Sequence, residues 1–182
     1  MSTTIESVTA ASAGTWRLDP VHSSAGFEVS YLGGTFKGQF RDVDAKLAAA
    51  DGTIDLTGRA LVQSVDVKDE NLAAHLQGPD FFDAERYPEL TFTATGIEPA
   101  GPAVDAEGEI TIKGITRPVR VTGTITGPIT DGYGNERLGV KLSATVDRQA
   151  FGVSWNTPLP SGEQALSDEV AIDADLFFVK EA

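Results

Sequence analysis

Two histidines, His22 and His75, are the side chains of this sequence best suited to proton transfer near neutral pH, and the chain has no cysteine. Without a thiol, disulfides and thiolate chemistry are excluded. His22 follows Asp19 and precedes Ser23, so a Ser–His–Asp assembly stays open as an alternative, because triads form in space and not in sequence. The GxSxG elbow is absent, however, and we favour structural hydrogen bonding for these residues.

Metal and phosphate sites find as little support. Neither histidine lies in an HExxH arrangement or a dense cluster of His, Asp and Glu, and the glycines between positions 132 and 139 are spaced wrongly for GxGxxG. His75, alone on a predicted helix, is typical of a packing or capping residue. Asp147-Arg148 is either an ion pair that fixes a corner, which we favour, or a polar contact to a ligand head. We therefore predict no enzymatic activity, no metal and no cofactor.

The charge balance excludes several classes of partner. Lys and Arg number 14 against 27 Asp and Glu, which gives a net charge of -13 and argues against nucleic acid and anionic membrane surfaces. No apolar run approaches the roughly 18–20 residues that cross a bilayer, so we predict no transmembrane segment. Residues 1–14 are rich in Ser, Thr and Ala and lack the pattern of a secretory signal, which predicts a flexible N-terminal arm on a cytoplasmic protein.

The elements that must position these residues are mostly strands, because apolar and polar residues alternate along the chain after Trp16. Residues 69–77 differ: Leu72 and Leu76 lie four apart, acidic residues come first and Gly78 follows, which predicts one short helix. About eight strands and one helix predict an all-β, antiparallel fold in one domain over residues 15–182. The sheet is either a barrel, which removes exposed edges, or a sandwich.

The apolar faces and the aromatic residues bear on what the sheet encloses. Gly and Ala alternate with Phe, Leu and Ile, which fits a tapering packed core, favoured by the pattern alone, or an internal tunnel. Phe81 and Phe82 follow the helix directly, and residues 151–160 contain Trp155 among prolines. The segment of Phe81 and Phe82 is interpreted as a plug at one barrel end, as a gated rim around an entrance, or as both, and the 151–160 stretch is expected to cover the other side.

Five stretches, taken in order and with their spacing, form a recognisable set. They are Trp16 to Ser23 with Phe27; His75 to Asp83 with Tyr87-Pro88 and Phe92; Gly108 to Val119; Asp147 to Val153; and Glu169-Val170. Together they resemble the YceI-like polyisoprenoid-binding family over about residues 14–179. Each stretch alone is weak evidence, and the combined spacing carries the resemblance.

The resemblance implies an extended, lipocalin-like, antiparallel eight-stranded β-barrel whose apolar tunnel holds a long isoprenoid. Family members are regarded as carriers or stores of polyprenyl or quinone-type lipids, and some are dimeric, so an isoprenoid or quinone lipid and a homodimer are the partners expected. The family usually has an Arg-Asp pair where this sequence has Leu72-Ala73. That departure predicts a more apolar tunnel mouth and puts the head-group preference in question.

The resulting hypothesis is a non-enzymatic lipid-binding barrel that stores or transports an isoprenoid. The alternatives are a small hydrolase or isomerase, which would need a wet pocket joining a histidine to a carboxylate, and a structural barrel with a filled interior. Polar contacts near one end are expected from His22, His75, Asp147 and Arg148. The residues expected to line the tunnel are Phe27, Val29, Phe36, Phe40, Leu56, Phe81, Phe82, Phe92, Ile110, Val121, Leu142, Phe151, Trp155 and Phe178.

Overall fold

A computed structural model describes residues 13–181, and nearly all of its regular structure is antiparallel sheet. The predicted N-terminal arm therefore lies largely outside the described residues, although its last residue, Gly14, already begins the first strand. The strands are β1 Gly14–Leu18, β2 Ser24–Tyr31, β3 Gly34–Phe40, β4 Val43–Ala50, β5 Thr53–Leu61, β6 Val65–Asp66, β7 Glu89–Ile97, β8 Ala103–Ile112, β9 Ile115–Thr130, β10 Glu136–Asp147 and β11 Leu166–Lys180.

These segments form eight long strands, of which the first three are interrupted. β1 and β2 together form the first long strand, and both pair with β11. β3 and β4 form the second, because β3 pairs with β2 and β4 pairs with β1. A 3-10 turn, Val62–Ser64, separates β5 from β6. Because β11 pairs with β2 along its first part and with β1 at its end, the sheet closes on itself. The eight-stranded barrel is confirmed, and the sandwich is not observed.

Tight turns join several strands, and their backbone geometry explains the sequence signals. Lys113 and Gly114 both have positive φ, as do Asp51 and Gly52, which is the arrangement of a two-residue hairpin turn whose twist suits the flanking strands. Leu32-Gly33 forms a third such turn. Leucine rarely adopts a positive φ, so this turn could not be predicted from the sequence.

The one α-helix in residues 13–181, α1, runs from Glu70 to Gln77, close to the prediction. Asp69 caps its N-terminus, because the carboxylate accepts a hydrogen bond of 3.0 Å from Leu72 N and so satisfies a free amide of the first turn. The following loop folds back on the helix, with Phe82 N donating to Leu76 O at 3.0 Å. Helix and loop therefore act as one cap over one end of the barrel. No helix in the described part of the chain is long and apolar enough to cross a membrane.

The opposite end of the barrel is filled. Trp16 and Phe178 are fully buried there, together with Leu47, Leu138 and Val140. Side chains of the strands meet across the barrel at this level, as in an ordinary close-packed core. The expectation of a continuous tunnel is therefore wrong for this end of the barrel. The interior consists of a packed plug at the end away from α1 and a separate space next to α1.

Candidate functional site

A cavity of about 380 Å³ lies between the Trp16 plug and the α1 cap. Ligand pockets of globular proteins usually measure about 300–1,000 Å³, so this one is large enough for a small molecule. Its wall is almost wholly apolar and comes from the inward-facing residues of β2 to β5, β7 to β11 and α1. A dry, apolar cavity of this kind suits a hydrocarbon, because water finds too few polar partners there.

Strand β11 shows where the cavity ends. Its inward residues Val170, Ile172 and Ala174 are partly exposed to the cavity, whereas Leu176 is 6% and Phe178 0% exposed. All of them share one face because strand side chains alternate. Phe178 thus faces inward as the alternation requires, but it sits below the floor of the cavity and belongs to the plug. It does not line the cavity.

The other predicted lining residues lie on the cavity wall, and contact with a lipid stays a prediction for each of them. Phe27, Phe36, Phe40 and Phe82 form one aromatic cluster whose ring centroids lie 5.7–6.2 Å apart. The remaining residues on the wall are Val29, Leu56, Phe81, Phe92, Ile110, Val121, Leu142, Phe151 and Trp155.

Small residues on the wall create the space, and they are not among the lining residues predicted from the sequence. Ala25, Gly58, Ala60 and Ala144 line the cavity. At Gly38, a Cβ would lie 2.5 Å from Cζ of Phe27, so the absence of a side chain lets that ring lie across β3. The alternation of small and large residues was visible in the sequence. It could not tell a tapering core from a void, because that depends on distances across the barrel.

The mouth of the cavity lies at the cap, since the other end is filled. His75 and Leu72 of α1, Trp155 of the 152–165 loop and Tyr31 of β2 line the cavity at this end. The expectation that the 151–160 stretch covers the other side of the barrel is wrong, because the Trp155 ring packs against the cap. The His75 ring meets the Phe81 and Trp155 rings edge-on, with centroids 4.9 and 5.3 Å apart. Its Nε2 lies 3.2 Å from an oxygen of Asp80, in the loop after α1.

Arg148 lines the cavity and holds the loop beside the mouth. The side chain is 5% exposed and donates to the backbone carbonyls of Ser167, Val153, Trp155 and Leu166, at 2.7–3.4 Å. Burial lowers the pKa of Arg148, while carboxylates nearby oppose that shift. Because its donors are directed at protein carbonyls, Arg148 fixes the corner after β10.

The carboxylate expected to pair with Arg148 acts differently. Asp147 points outward and accepts a hydrogen bond of 2.9 Å from Gln149 N, which caps a short 3-10 turn. The acidic partner of Arg148 is instead Asp168, at 3.6 Å. Asp147 does not line the cavity, because it occupies the outward phase of β10.

The cavity, its cap and the loop held by Arg148 involve the same stretches that carry the sequence resemblance. Residues 16–178 match the family described as the YceI-like domain. This chain belongs to the YceI-like family.

Relatives and solved structures agree with that membership. Protein YceI of Escherichia coli O157:H7 is 32% identical over 143 residues, covering 72% of this chain and 71% of the relative. The crystal structure of BcnA from Burkholderia cenocepacia has a TM-score of 0.75 and 25% identity, covering 88% of this chain and 98% of that one. A Saccharophagus degradans domain described as polyisoprenoid binding shares the fold, with a TM-score of 0.72 at 13% identity, over 91% of this chain and 98% of that one.

His22 lies outside the cavity of this YceI-like barrel. Its Nδ1 is 2.7 Å from an oxygen of Asp19, and its ring packs against Phe177 on the outer surface. Asp19 also accepts a hydrogen bond from Arg137. The hydrogen bond with His22, and to a smaller extent the one from Arg137, lowers the pKa of the Asp19 carboxyl below its ordinary value. The group ties the 19–23 turn to β10 near the filled end, so His22 cannot contact a ligand in the cavity.

The hydrolase alternative depends on the contacts of the two histidines and on possible metal ligands within residues 13–181. No hydroxyl there hydrogen-bonds a histidine ring, and Ser23 instead donates to the Asp19 carbonyl at 2.7 Å. In the same residues no group of three or more His, Cys, Asp or Glu side chains is arranged to hold a metal ion. His75 does meet a carboxylate, but the wall beside it is apolar and supplies no nucleophile in contact with it.

Proposed function

We propose that this YceI-like protein binds the apolar chain of an isoprenoid lipid in its cavity, as a non-catalytic store or carrier. The observation that carries the proposal is the almost wholly apolar cavity of about 380 Å³, closed at one end by the Trp16 plug and capped by α1 at the other. The description of the Saccharophagus degradans domain as polyisoprenoid binding supports the same class of ligand. Polyprenols and isoprenoid quinones are the candidate lipids.

The size of the cavity sets how much of the lipid is buried. A cavity of about 150 Å³ holds one benzene molecule, or about 25 Å³ for each carbon atom. By that ratio about 15 carbon atoms, or three isoprene units, fit within the 380 Å³. A longer chain must continue out through the mouth, because the plug below contains no further space.

Burial of those carbons supplies enough free energy for useful affinity. At about 0.8 kcal/mol per carbon group the transfer gains about 12 kcal/mol. Association costs about 4 kcal/mol or more in lost freedom, which leaves a dissociation constant in the micromolar range or weaker. Since this gain requires no polar contact, an apolar wall is sufficient.

Equilibrium titration of delipidated protein with geranylgeraniol, a C20 prenol, tests the proposal. We expect saturable binding with one prenol per chain. Phe92→Arg places a charge on the cavity wall and should abolish binding, because an unpaired charge next to a hydrocarbon is strongly unfavourable. Thr93→Arg, on the outer face of the same strand, is the matched control and should bind as the wild type does.

Either of two results would contradict the proposal. One is the absence of saturable prenol binding by a folded wild-type protein, shown by its circular dichroism. The other is undiminished binding by Phe92→Arg, which would mean that the lipid does not occupy the space beside Phe92.

A further inference from the structure

The mouth of the cavity presents hydrogen-bonding groups from three side chains, those of Trp155, Tyr31 and His75. Trp155 and Tyr31 line the cavity, and within residues 13–181 neither the indole N–H nor the hydroxyl makes a hydrogen bond. His75 Nε2 faces the Asp80 carboxylate, which can only accept, so this nitrogen carries the proton. In the neutral ring Nδ1 is then an acceptor, and no described atom donates to it. One donor, one acceptor and one hydroxyl are thus available to a ligand.

The Arg and Lys side chains on the cavity wall, and the lysine that ties its cap, are already engaged. Arg148 directs its donors at four backbone carbonyls and at Asp168. Lys113 donates to the carbonyls of Pro79 at 2.8 Å and Gly152 at 3.2 Å, which ties the cap to the neighbouring loop, and it does not line the cavity. Arg59 adjoins the cavity only through its backbone position, since its side chain pairs with Glu89 on the outer face.

We propose that this mouth selects isoprenoids whose head group is uncharged and carries a hydroxyl or carbonyl, and that it discriminates against prenyl phosphates and diphosphates. The inference rests on the proposed isoprenoid binding and specifies the ligand class. A diphosphate beside Leu72 and Trp155 loses part of its hydration, and among the described residues that line the cavity it finds no Lys or Arg side chain that is free to pair with it. The net charge of -13 adds repulsion to any anion that approaches. The hydroxyl or carbonyl of an uncharged head group, by contrast, replaces its hydrogen bonds to water with hydrogen bonds to Trp155, Tyr31 or His75.

Displacement of a fluorescent apolar probe from the cavity compares the two head groups on one chain length. Geranylgeraniol should bind at least about tenfold more tightly than geranylgeranyl diphosphate. Leu72→Arg places a cation at the mouth and should narrow that ratio several-fold. Asn71→Arg changes the net charge equally but is exposed and does not line the cavity, so it should leave the ratio near that of the wild type.

A further variant tests the donor itself. Trp155→Phe keeps an aromatic ring and removes the N–H, so geranylgeraniol should bind about three- to tenfold more weakly, as for one lost hydrogen bond. The C20 hydrocarbon without a hydroxyl should keep its affinity for the variant. Equal losses for both ligands would show that the ring and not its N–H is used, and would overturn the assigned contact.

The outcomes separate this inference from the function on which it rests. If the prenol and the diphosphate bind wild-type protein within about threefold of each other, the head-group inference is overturned and isoprenoid binding stands. If Asn71→Arg narrows the ratio as much as Leu72→Arg, the selectivity comes from overall charge, and the role of the mouth is overturned. If neither ligand displaces the probe, isoprenoid binding itself fails.

Discussion

Replacing Ala144 with phenylalanine should close much of the cavity without harming the barrel. Ala144 is an inward residue of β10, lies on the cavity wall and faces free space. The added phenyl ring is the size of benzene and takes about 150 Å³, roughly two fifths of the 380 Å³ available. It therefore displaces about six carbons of the lipid, or slightly more than one isoprene unit.

The affinity lost follows from the carbons displaced. Six carbons at about 0.8 kcal/mol each amount to about 5 kcal/mol, and partial readjustment of the lipid lowers this to about 3–5 kcal/mol. Geranylgeraniol should thus bind about 100- to 3,000-fold more weakly to Ala144→Phe, as measured by isothermal titration. Because the ring fills a void with apolar surface, the thermal unfolding midpoint should not fall.

Thr145→Phe provides the matched control for that substitution. Thr145 is the next residue of β10 and is exposed on the outer face, so the same ring there leaves the cavity unchanged. Its prenol affinity should equal that of the wild type. A folded Ala144→Phe protein that binds geranylgeraniol within about threefold of the wild type would refute the reasoning, because the lipid would then not occupy this space.

Three further substitutions have defined outcomes. The pKa of Asp131 is lowered from 3.8 to about 2 by hydrogen bonds from Arg137 and from the backbone of Asn135 and Tyr133. The ionised carboxylate therefore stabilises the fold above about pH 4, and this stabilisation is lost as the pH falls toward 2. Urea unfolding at several pH values should show a smaller drop in the free energy of unfolding over this pH range for Asp131→Asn than for the wild type. Arg148→Met leaves buried carbonyls without donors and should lower the free energy of unfolding by about 3–5 kcal/mol, and an unchanged urea midpoint would contradict that role. Lys113→Met releases the cap and should speed prenol dissociation about two- to tenfold in stopped-flow measurements, whereas the exposed Lys141→Met should not.

The alternation of residues predicts the wall of the cavity but not its depth. Phe178 and Ile172 have the same phase on β11, yet one belongs to the plug and the other to the cavity wall. Phase is a local property of a strand, which explains why the inward faces were predictable. The level at which Trp16 and Leu138 meet across the barrel depends on strand tilt and register, which no short pattern records.

Polar residues were harder to place than apolar ones. His22 and His75 look alike in the sequence, each with an aspartate three to five residues away, and each does meet that aspartate. The fold puts His22 outside the filled end and His75 at the cavity mouth. The roles of the two histidines differ because one end of the barrel is filled and the other holds the cavity. Contacts between strands that are distant in sequence determine which end is filled. Arg148 was recognised as a corner residue, but its acceptors lie on a loop whose path the sequence does not reveal.

Native mass spectrometry of the protein purified from cells without detergent tests the central claim most directly. We predict an added mass that corresponds to one isoprenoid molecule per chain, and organic extraction should release that isoprenoid. The added mass should be absent from Ala144→Phe and present in Thr145→Phe. A wild-type protein that carries no lipid, and that gains no mass on incubation with geranylgeraniol or an isoprenoid quinone, would contradict the account.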